Sequence, residues 1–466
     1  MRGWSMLHVA RRAGLIITVA ILALLLVIAG SSARVGPVGA QAPAVIQGAG
    51  LFTFPGNWSA VPERTITVFF PGQASWEFLT SSQHPGSEQV ASGTTCQTCH
   101  AGQEKDKGES LVKHARLEPD PVAGKKGSLD VSVRAAFDDQ YIYMRFEWAA
   151  AEPGASHELW RYDGTRWVPW GGPKPDVTKA NVLPSYEERL AVMFTERNVP
   201  AADGAKTGFN QAGCFIACHS SMRNMARDVR GERVINHPYF GRGGLNSNDM
   251  RHYLLLTRTA TDETGGWDKV KTSQEIERLK AEGSFLDLWQ WRSYRSSPVG
   301  YAGDDYVLEY RLSDSGRSPF TSPAQPSFMY DQSKTGFQAI PEARFNELLP
   351  RLPLIMGSNA VPVTPAARFA AGDLLPRNIL RTPDGSGADV LANGSWARGR
   401  WVVELRRKLI TGNSDDKPLV GGRVYRFGLA VFNDKVSNRY HFISFPQTLG
   451  LGKETVATVR AVRLGR

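Results

Sequence analysis

All four cysteines of this 466-residue chain fall in two pairs that each end in histidine: Cys96-Gln97-Thr98-Cys99-His100 and Cys214-Phe215-Ile216-Ala217-Cys218-His219. The first is the C-x-x-C-H pattern of c-type haem attachment, in which two thiols add to the haem vinyl groups and the adjoining imidazole offers a nitrogen to the iron. A fold built around such a motif must bring both thiols and the ring to one face of a large flat cofactor and then enclose that cofactor. Two other readings use the same cysteines. Two close pairs can make an all-thiolate zinc knot, and an even cysteine count in an exported chain can mean disulfides. Neither explains the histidines. With nine histidines in the chain, one follows any given residue at about one position in fifty, yet one follows the second cysteine of both pairs.

The second motif has three residues between its cysteines. On an α-helix Cys214 and Cys218 would share a side, but His219 would point about 100° away from Cys218. Its spacing therefore predicts an irregular turn.

For the sixth position on the first iron, His84 in Gln83-His84-Pro85-Gly86 and His114 in Val112-Lys113-His114 flank the motif. Met144 lies on a strand face with Ile142, Phe146 and Trp148 and reads as core. Beyond the second motif stand Met222, Met225, His237 and His252, which no spacing rule separates; Met222 is close enough for a tight loop and His237 precedes a proline.

Arg2, Arg11 and Arg12 precede an apolar run from Gly14 to Gly30, which leads to Ala40-Gln41-Ala42-Pro43. Basic, apolar and small-residue regions in that order read as a secretory signal with cleavage after Ala42. At 17 residues the run is also near the lower limit for a membrane span, so a retained anchor is the alternative. The flanks of Arg11-Arg12 fit twin-arginine export poorly, and the general secretory route is expected. The formal charge is +10, with basic residues spread along the chain and no dense run. That pattern argues against a nucleic-acid arm and reads first as a soluble basic surface, with a docking face for an acidic redox partner or an anionic lipid as the other use of the charge.

Period-two alternation from Leu129 to Phe137, a break at Asp138-Asp139-Gln140, and YIYMRFEW from Tyr141 to Trp148 together predict a β-hairpin. Further strands are expected at Arg64 to Phe70, Glu188 to Phe194, Tyr306 to Leu312, Trp401 to Arg406, Tyr425 to Phe432 and Tyr440 to Phe445, with a turn at Asn433-Asp434. Helices are few, the best being Thr272 to Glu282 and Pro341 to Leu349. The fold class is mainly β, an antiparallel sandwich with long loops, since no βαβ alternation occurs. Three units follow: 1–42, signal or anchor; 43–127, a small irregular or helical haem c segment; 128–455, a β-sandwich haem-binding domain. The long connections 149–187, 313–340 and 357–395 are where a cofactor site would be expected.

Val131 to Trp148, Gly213 to His219 (GCFIACH), Asp287 to Asp305 (DLWQWRSYRSSPVGYAGDD), Gly399 to Leu409 and Arg439 to Gly452 (RYHFISFPQTLGLG) together resemble the ethylbenzene-dehydrogenase-type haem-binding family, over about 120 to 455. That family is related to the haem-carrying subunits of the dimethyl sulfoxide reductase class of molybdoenzymes. The resemblance implies a β-sandwich that cradles haem and exchanges electrons with a partner. Members with b-type haem hold iron by Met and Lys without thioethers. Those ligands are not carried over to this chain, which looks most like the c-type branch with an N-terminal C-x-x-C-H segment and an upstream His-Pro-Gly. His441, inside the RYHFISF stretch, reads as a structural histidine; Trp289, Trp291 and Tyr294 read as haem-pocket packing or core.

The expected function is an exported dihaem c-type cytochrome, periplasmic or on the outer face of the cytoplasmic membrane. It would relay single electrons in a respiratory chain to a redox partner such as a molybdoenzyme or another cytochrome. Cys96, Cys99, Cys214 and Cys218 would attach two haem c groups and His100 and His219 would ligate iron. A haem enzyme with an open iron acting on a small oxidant, and a zinc-stapled binding module, are the alternatives.

Overall fold

The computed structural model describes residues 46–219, 225, 252–261, 266–310, 321–323, 326–452 and 456–465. The segment read as signal or anchor, Met222, His237 and residues 311–312 of one expected strand lie outside the described residues. Among the described residues no helix is long and apolar enough to cross a membrane.

Twelve strands make the main sheet together with a two-residue edge strand, Ile46–Gln47. They are β1 (Arg64–Phe69), β2 (Ser128–Phe137), β3 (Tyr141–Ala149), β4 (Arg189–Thr195), β5 (Leu286–Arg292), β6 (Gly303–Val307), β7 (Leu391–Ala397), β8 (Arg400–Lys408), β9 (Val424–Phe432), β10 (Phe442–Ile443), β11 (Gln447–Leu451) and β12 (Val459–Arg463). One half runs β7-β8-β3-β2 and the other β9-β4-β5-β6, every neighbour antiparallel. The halves are stitched along one side twice. β1 and β10 bridge β2 to β9 at one end; β12 and β11 do so at the other, with β12 parallel to both its neighbours. The expected hairpin is β2-β3, in register from Val131 opposite Trp148 to Phe137 opposite Ile142.

Alternation explains which way each strand faces. On β2, Leu129, Val131, Val133 and Ala135 point inward, and on β3 so do Ile142, Met144, Phe146 and Trp148. They meet Leu190, Val192, Phe194, Trp289, Trp291, Phe427 and Leu429 from the other half, and Trp291 touches both Trp148 (6.0 Å) and Trp401 (4.9 Å) edge-on. Burying side chains of this size removes roughly 1.5–3 kcal/mol of unfavourable hydration each, so the inter-sheet layer dominates stability. β4 departs from alternation: all seven of its residues are buried. Its second face carries Ala191 and Met193 into a separate apolar cluster with Leu286, Leu288, Ala430, Phe209 and the second cysteine motif. A continuous apolar run is what a strand covered on both faces requires.

Two expected strands end earlier than their apolar pattern. The strand foreseen over Tyr306 to Leu312 is Gly303–Val307, paired to β5 up to Leu286. In Tyr440 to Phe445 only Phe442 and Ile443 are ladder residues, and Asn438–Tyr440 is a 3-10 turn. Ser444 stops the ladder because its hydroxyl accepts from the Leu429 N–H at 3.0 Å, taking the place of a backbone carbonyl, and Pro446 two residues on has no N–H to donate. Asp434 and Lys435 both take positive φ, making the turn expected at Asn433-Asp434. The helix foreseen at Thr272 is Ser273–Ala281, opened by a capping box of Thr272 and Glu275. Pro341 to Leu349 yields only a 3-10 turn and one α-turn, Phe345–Leu348.

Among the described residues the long connections do not line the cavity before the first cysteine motif. They fold on themselves into a four-stranded sheet of Leu159–Tyr162, Trp167–Trp170, Ile340–Pro341 and Asp373–Pro376. A satellite core of Leu159, Tyr294, Tyr330, Ile340, Leu354 and Leu374 fills it. Gly and Pro there serve turns of a small apolar unit.

Candidate haem sites

The segment between β1 and β2 winds through short helices, including α1 (Ser87–Ala91), α2 (Cys96–His100) and α3 (Glu104–Leu111). α2 is the first cysteine motif itself. Thr95 caps it by accepting from the Thr98 N–H at 3.2 Å, and one α-turn sets Cys96 and Cys99 on the same side. Before them lies a cavity of about 700 Å³, within the roughly 300–1,000 Å³ of pockets that take cofactor-sized ligands. Cys96, Cys99, His100, His84 and His114 all line it, against Phe69, Phe78, Leu79, Leu111, Phe215 and Phe445.

The imidazoles distinguish themselves by their partners. His100 Nδ1 lies 3.3 Å from Gln103 Oε1, and Gln103 in turn donates to the Cys99 carbonyl at 3.2 Å. Fixed in that way, Nδ1 carries the proton and leaves the Nε2 lone pair for a metal. His84 faces His100 across 6.3 Å between ring centroids, and its Nδ1 is buried without a hydrogen-bond partner. Burial and the His100 ring hold its pKa below the usual range. Two imidazoles gripping one metal from opposite sides at bonds of about 2.0–2.1 Å have centroids about 6 Å apart. His114 differs: its Nδ1 accepts from the Leu117 N–H at 3.1 Å, which puts the neutral ring's proton on Nε2 and removes that lone pair. Both thiols are free of any disulfide, and burial pushes Cys96 up to about 11.

The second motif follows α4 (Phe209–Ala212) as a 3-10 turn, Gly213–Ile216, closed by a Cys218 N–H to Cys214 carbonyl bond of 2.9 Å. The irregular turn that the spacing requires is thus formed. Gly213 sits at φ 57°, where a Cβ would also press on Pro446 at 3.2 Å, so glycine is needed twice over. Cys214, Phe215, Ile216, Ala217, Cys218 and His219 are all buried. Cys214 Sγ lies 3.0 Å from where a Cβ of Gly428 on β9 would be, and burial pushes its thiol up to about 12. Both nitrogens of His219 are buried without a hydrogen-bond partner, and burial pulls its pKa down to about 4 against a weaker pull from the Ala74 backbone. His441 is buried, stacked on Phe432 at 4.5 Å and 5.5 Å from the His219 ring. It stands at the second motif, which its place in an alternating strand did not reveal.

The two motifs share one apolar cluster. Phe215 of the second lines the first cavity and lies 5.0 Å from His219, while Phe445 lines it too and stacks with His100 at 6.2 Å. Trp289 and Trp291 belong to the inter-sheet core and Tyr294 to the satellite core, away from the cavity lining; Met144 is core as expected. Met225 is buried in the second motif's cluster, and His252 is buried at φ 64°. Among the described residues no three cysteine or histidine ligand atoms gather as a tetrahedral zinc knot would require, and no cysteine forms a disulfide. Sequence reasoning missed Gln103, a polar residue three beyond His100, and Phe215 and Phe445, whose apolar character could equally mean core.

A family model described as "Ethylbenzene dehydrogenase" matches residues 57–443, a span that begins well before 120 and contains both motifs. Cytochrome c-552 of Stutzerimonas stutzeri is 24% identical over 399 residues, 85% of this chain and 88% of that protein. Cytochrome c-551 of Rhodocyclus tenuis is 31% identical over 172 residues, 36% of this chain and 57% of that protein.

Proposed function

Because the chain belongs to the ethylbenzene dehydrogenase family, and its relatives include proteins named as cytochromes c, we propose that it is an exported c-type cytochrome with two haems that relays single electrons. The observation that carries this reading is the first cavity, where both thiols of α2, His100 and His84 converge. Bound there, haem iron supplies one-electron redox chemistry at a potential set by its ligands and surroundings. Cys96 and Cys99 would hold the group by their thiols, His100 would offer Nε2 to the iron with Gln103 holding its tautomer, and His84 would offer a second imidazole nitrogen. Phe69, Phe78, Phe215 and Phe445 keep water from the ring and lower the local dielectric. Cys214, Cys218 and His219 would hold the second haem, and His441 lies 5.5 Å from the His219 ring.

A histidine facing His100 argues against an iron left open to substrate, which sets the enzyme reading behind electron transfer. The partner is a redox protein, a molybdoenzyme or another cytochrome, met outside the cytoplasm. The net charge of +10 would steer an acidic docking face toward the chain. Pyridine haemochrome analysis of the purified protein should count two c-type haems. Replacing Cys96 and Cys99 by Ser, and separately Cys214 and Cys218, should each leave one. An unchanged count after altering the second pair would make this a monohaem protein; zinc without haem in the native protein would end the reading.

A further inference from the structure

Away from both motifs, three carboxylates converge in the interior: Asp287 on β5, Asp304 on β6 and Asp416 in the loop after β8, with one oxygen of each within 4.8 Å of the others. Asp287 and Asp304 share a sheet face because Trp289 pairs with Asp304 and Tyr306 with Asp287. Only one guanidinium meets them. Arg407 Nη1 donates to Asp287 Oδ2 at 2.5 Å and lies 3.6 Å from Asp416 Oδ1, while Nη2 turns to the Lys417 carbonyl at 2.6 Å. Lys417 adds its backbone N–H to Asp287, but its ammonium is engaged elsewhere, by the Gly283 carbonyl and Glu196.

Asp304 is 4% exposed and neither of its oxygens has a partner; Asp287 Oδ1 and Asp416 Oδ2 are likewise buried and unpartnered. Three carboxylates against one guanidinium leave two negative charges in a buried place, and unpaired buried charge is among the costliest arrangements in a protein. Burial and the Asp287 carboxylate drive the Asp304 pKa far above the usual range, so the neutral acid is the competing way to relieve the site. A neutral acid, however, would still need acceptors for its proton, and Asp304 has none within hydrogen-bond geometry.

We propose that Asp287, Asp304 and Asp416 bind a divalent hard cation, calcium by preference, that ties the β5-β6 hairpin to the loop carrying Asp416. Two positive charges cancel the local excess. A point between three oxygens no more than 4.8 Å apart is at most about 2.8 Å from each, within reach of a hard cation, and a buried cage of protein carboxylates suits calcium better than magnesium, which gives up its waters reluctantly. An entry path exists, since Asp416 also lines an open cavity of about 390 Å³ beside Glu196, Glu277 and Ser414.

The test uses the full haem-loaded protein dialysed against chelator, then melted with calcium chloride, with magnesium chloride, or with chelator alone, alongside calorimetric titration. Calcium should bind one per chain and raise the melting temperature by several degrees, magnesium much less. Asp304→Asn and, as a second variant should that one fold poorly, Asp416→Asn should weaken calcium binding at least tenfold with haem content unchanged. Identical melting in calcium and chelator, with no bound calcium in the native protein, would overturn the proposal in favour of a protonated Asp304; so would variants that bind calcium as tightly as the parent.

Discussion

The two cysteine–histidine motifs set the same residue types in opposite surroundings. The first is a regular helical turn, capped by its own Thr95, that looks into an open cavity and leaves Cys99 exposed. Behind the second, a 3-10 turn, lies the sheet, with Cys214 against Gly428 of β9 and Gly213 against Pro446. A two-residue spacer gives a shape the local backbone adopts unaided. One more residue forces a tighter turn that fits because Gly428 on β9 leaves room for Cys214, and Gly213, the turn's own first residue, leaves room for Pro446. The regular motif therefore depends on its neighbours in sequence, and the irregular one on its neighbours in space.

What the first motif needs from afar is an anchor, and it has one. Arg439 grips Glu118 with two bonds of 2.6 and 2.5 Å, both residues being buried, and donates to the Tyr440 hydroxyl, which bonds the Asp120 carbonyl. That clamp fastens the end of the segment carrying the first motif to the strand region holding His441. Arg439→Ala leaves the Glu118 carboxylate buried without its partner and should cost about 3–5 kcal/mol in denaturant unfolding. Arg439→Lys, lacking the fork for two parallel bonds, should recover only part of it. A loss under about 1 kcal/mol for the alanine variant would show that the segment docks by its apolar contacts alone.

A smaller effect separates the two pockets themselves. Gly428→Ala should destabilise by about 1–3 kcal/mol, as overpacking does, because its new methyl meets Cys214 Sγ at 3.0 Å and Phe209 at 3.4 Å, neither able to move outward. Gly86→Ala at the first site meets His84 Cε1 at 3.2 Å, but that ring borders the cavity and can yield, so the change should stay within about 0.5 kcal/mol. Equal costs in thermal or urea unfolding would mean that the first pocket is as tightly packed as the second.

Much of this was legible in the chain. Alternation at Val131 to Trp148 gave the central hairpin because one face of it is wet or edge-like and the other is core. The full burial of β4 is consistent with its unbroken apolar run. The motif residues of both sites, and His84 and His114 beside the first, were legible as chemistry because cysteine and histidine are scarce. Legibility failed where a residue's role depends on a distant contact. Phe445 and Phe215 are ordinary apolar residues until the fold puts them in one cavity lining, and His441 alternates like any strand residue until β9 brings Phe432 beneath it. The long connections misled for the same reason: their Gly and Pro mark turns equally well in a loop that holds a ligand and in a small sheet that packs on itself.

The smallest change in stability should accompany the largest change in spectrum. His84 and His114 flank the first motif symmetrically in sequence, and only hydrogen bonding tells them apart: the Leu117 N–H occupies His114 Nδ1, whereas His84 Nδ1 is free of any partner. His84→Ala should convert one haem from six-coordinate low spin to five-coordinate high spin, readable in absorbance and paramagnetic resonance, at a cost of less than about 1 kcal/mol for a half-exposed ring. His114→Ala should leave the spin state alone and lose only its one neutral hydrogen bond, also about 1 kcal/mol or less. Were the spectra to change in His114→Ala and not in His84→Ala, the ring facing His100 across 6.3 Å would be packing, and the Leu117 bond would have to break when iron binds. A haem on the second motif, as proposed, would supply the internal control, because neither substitution touches the buried turn that carries Cys214, Cys218 and His219.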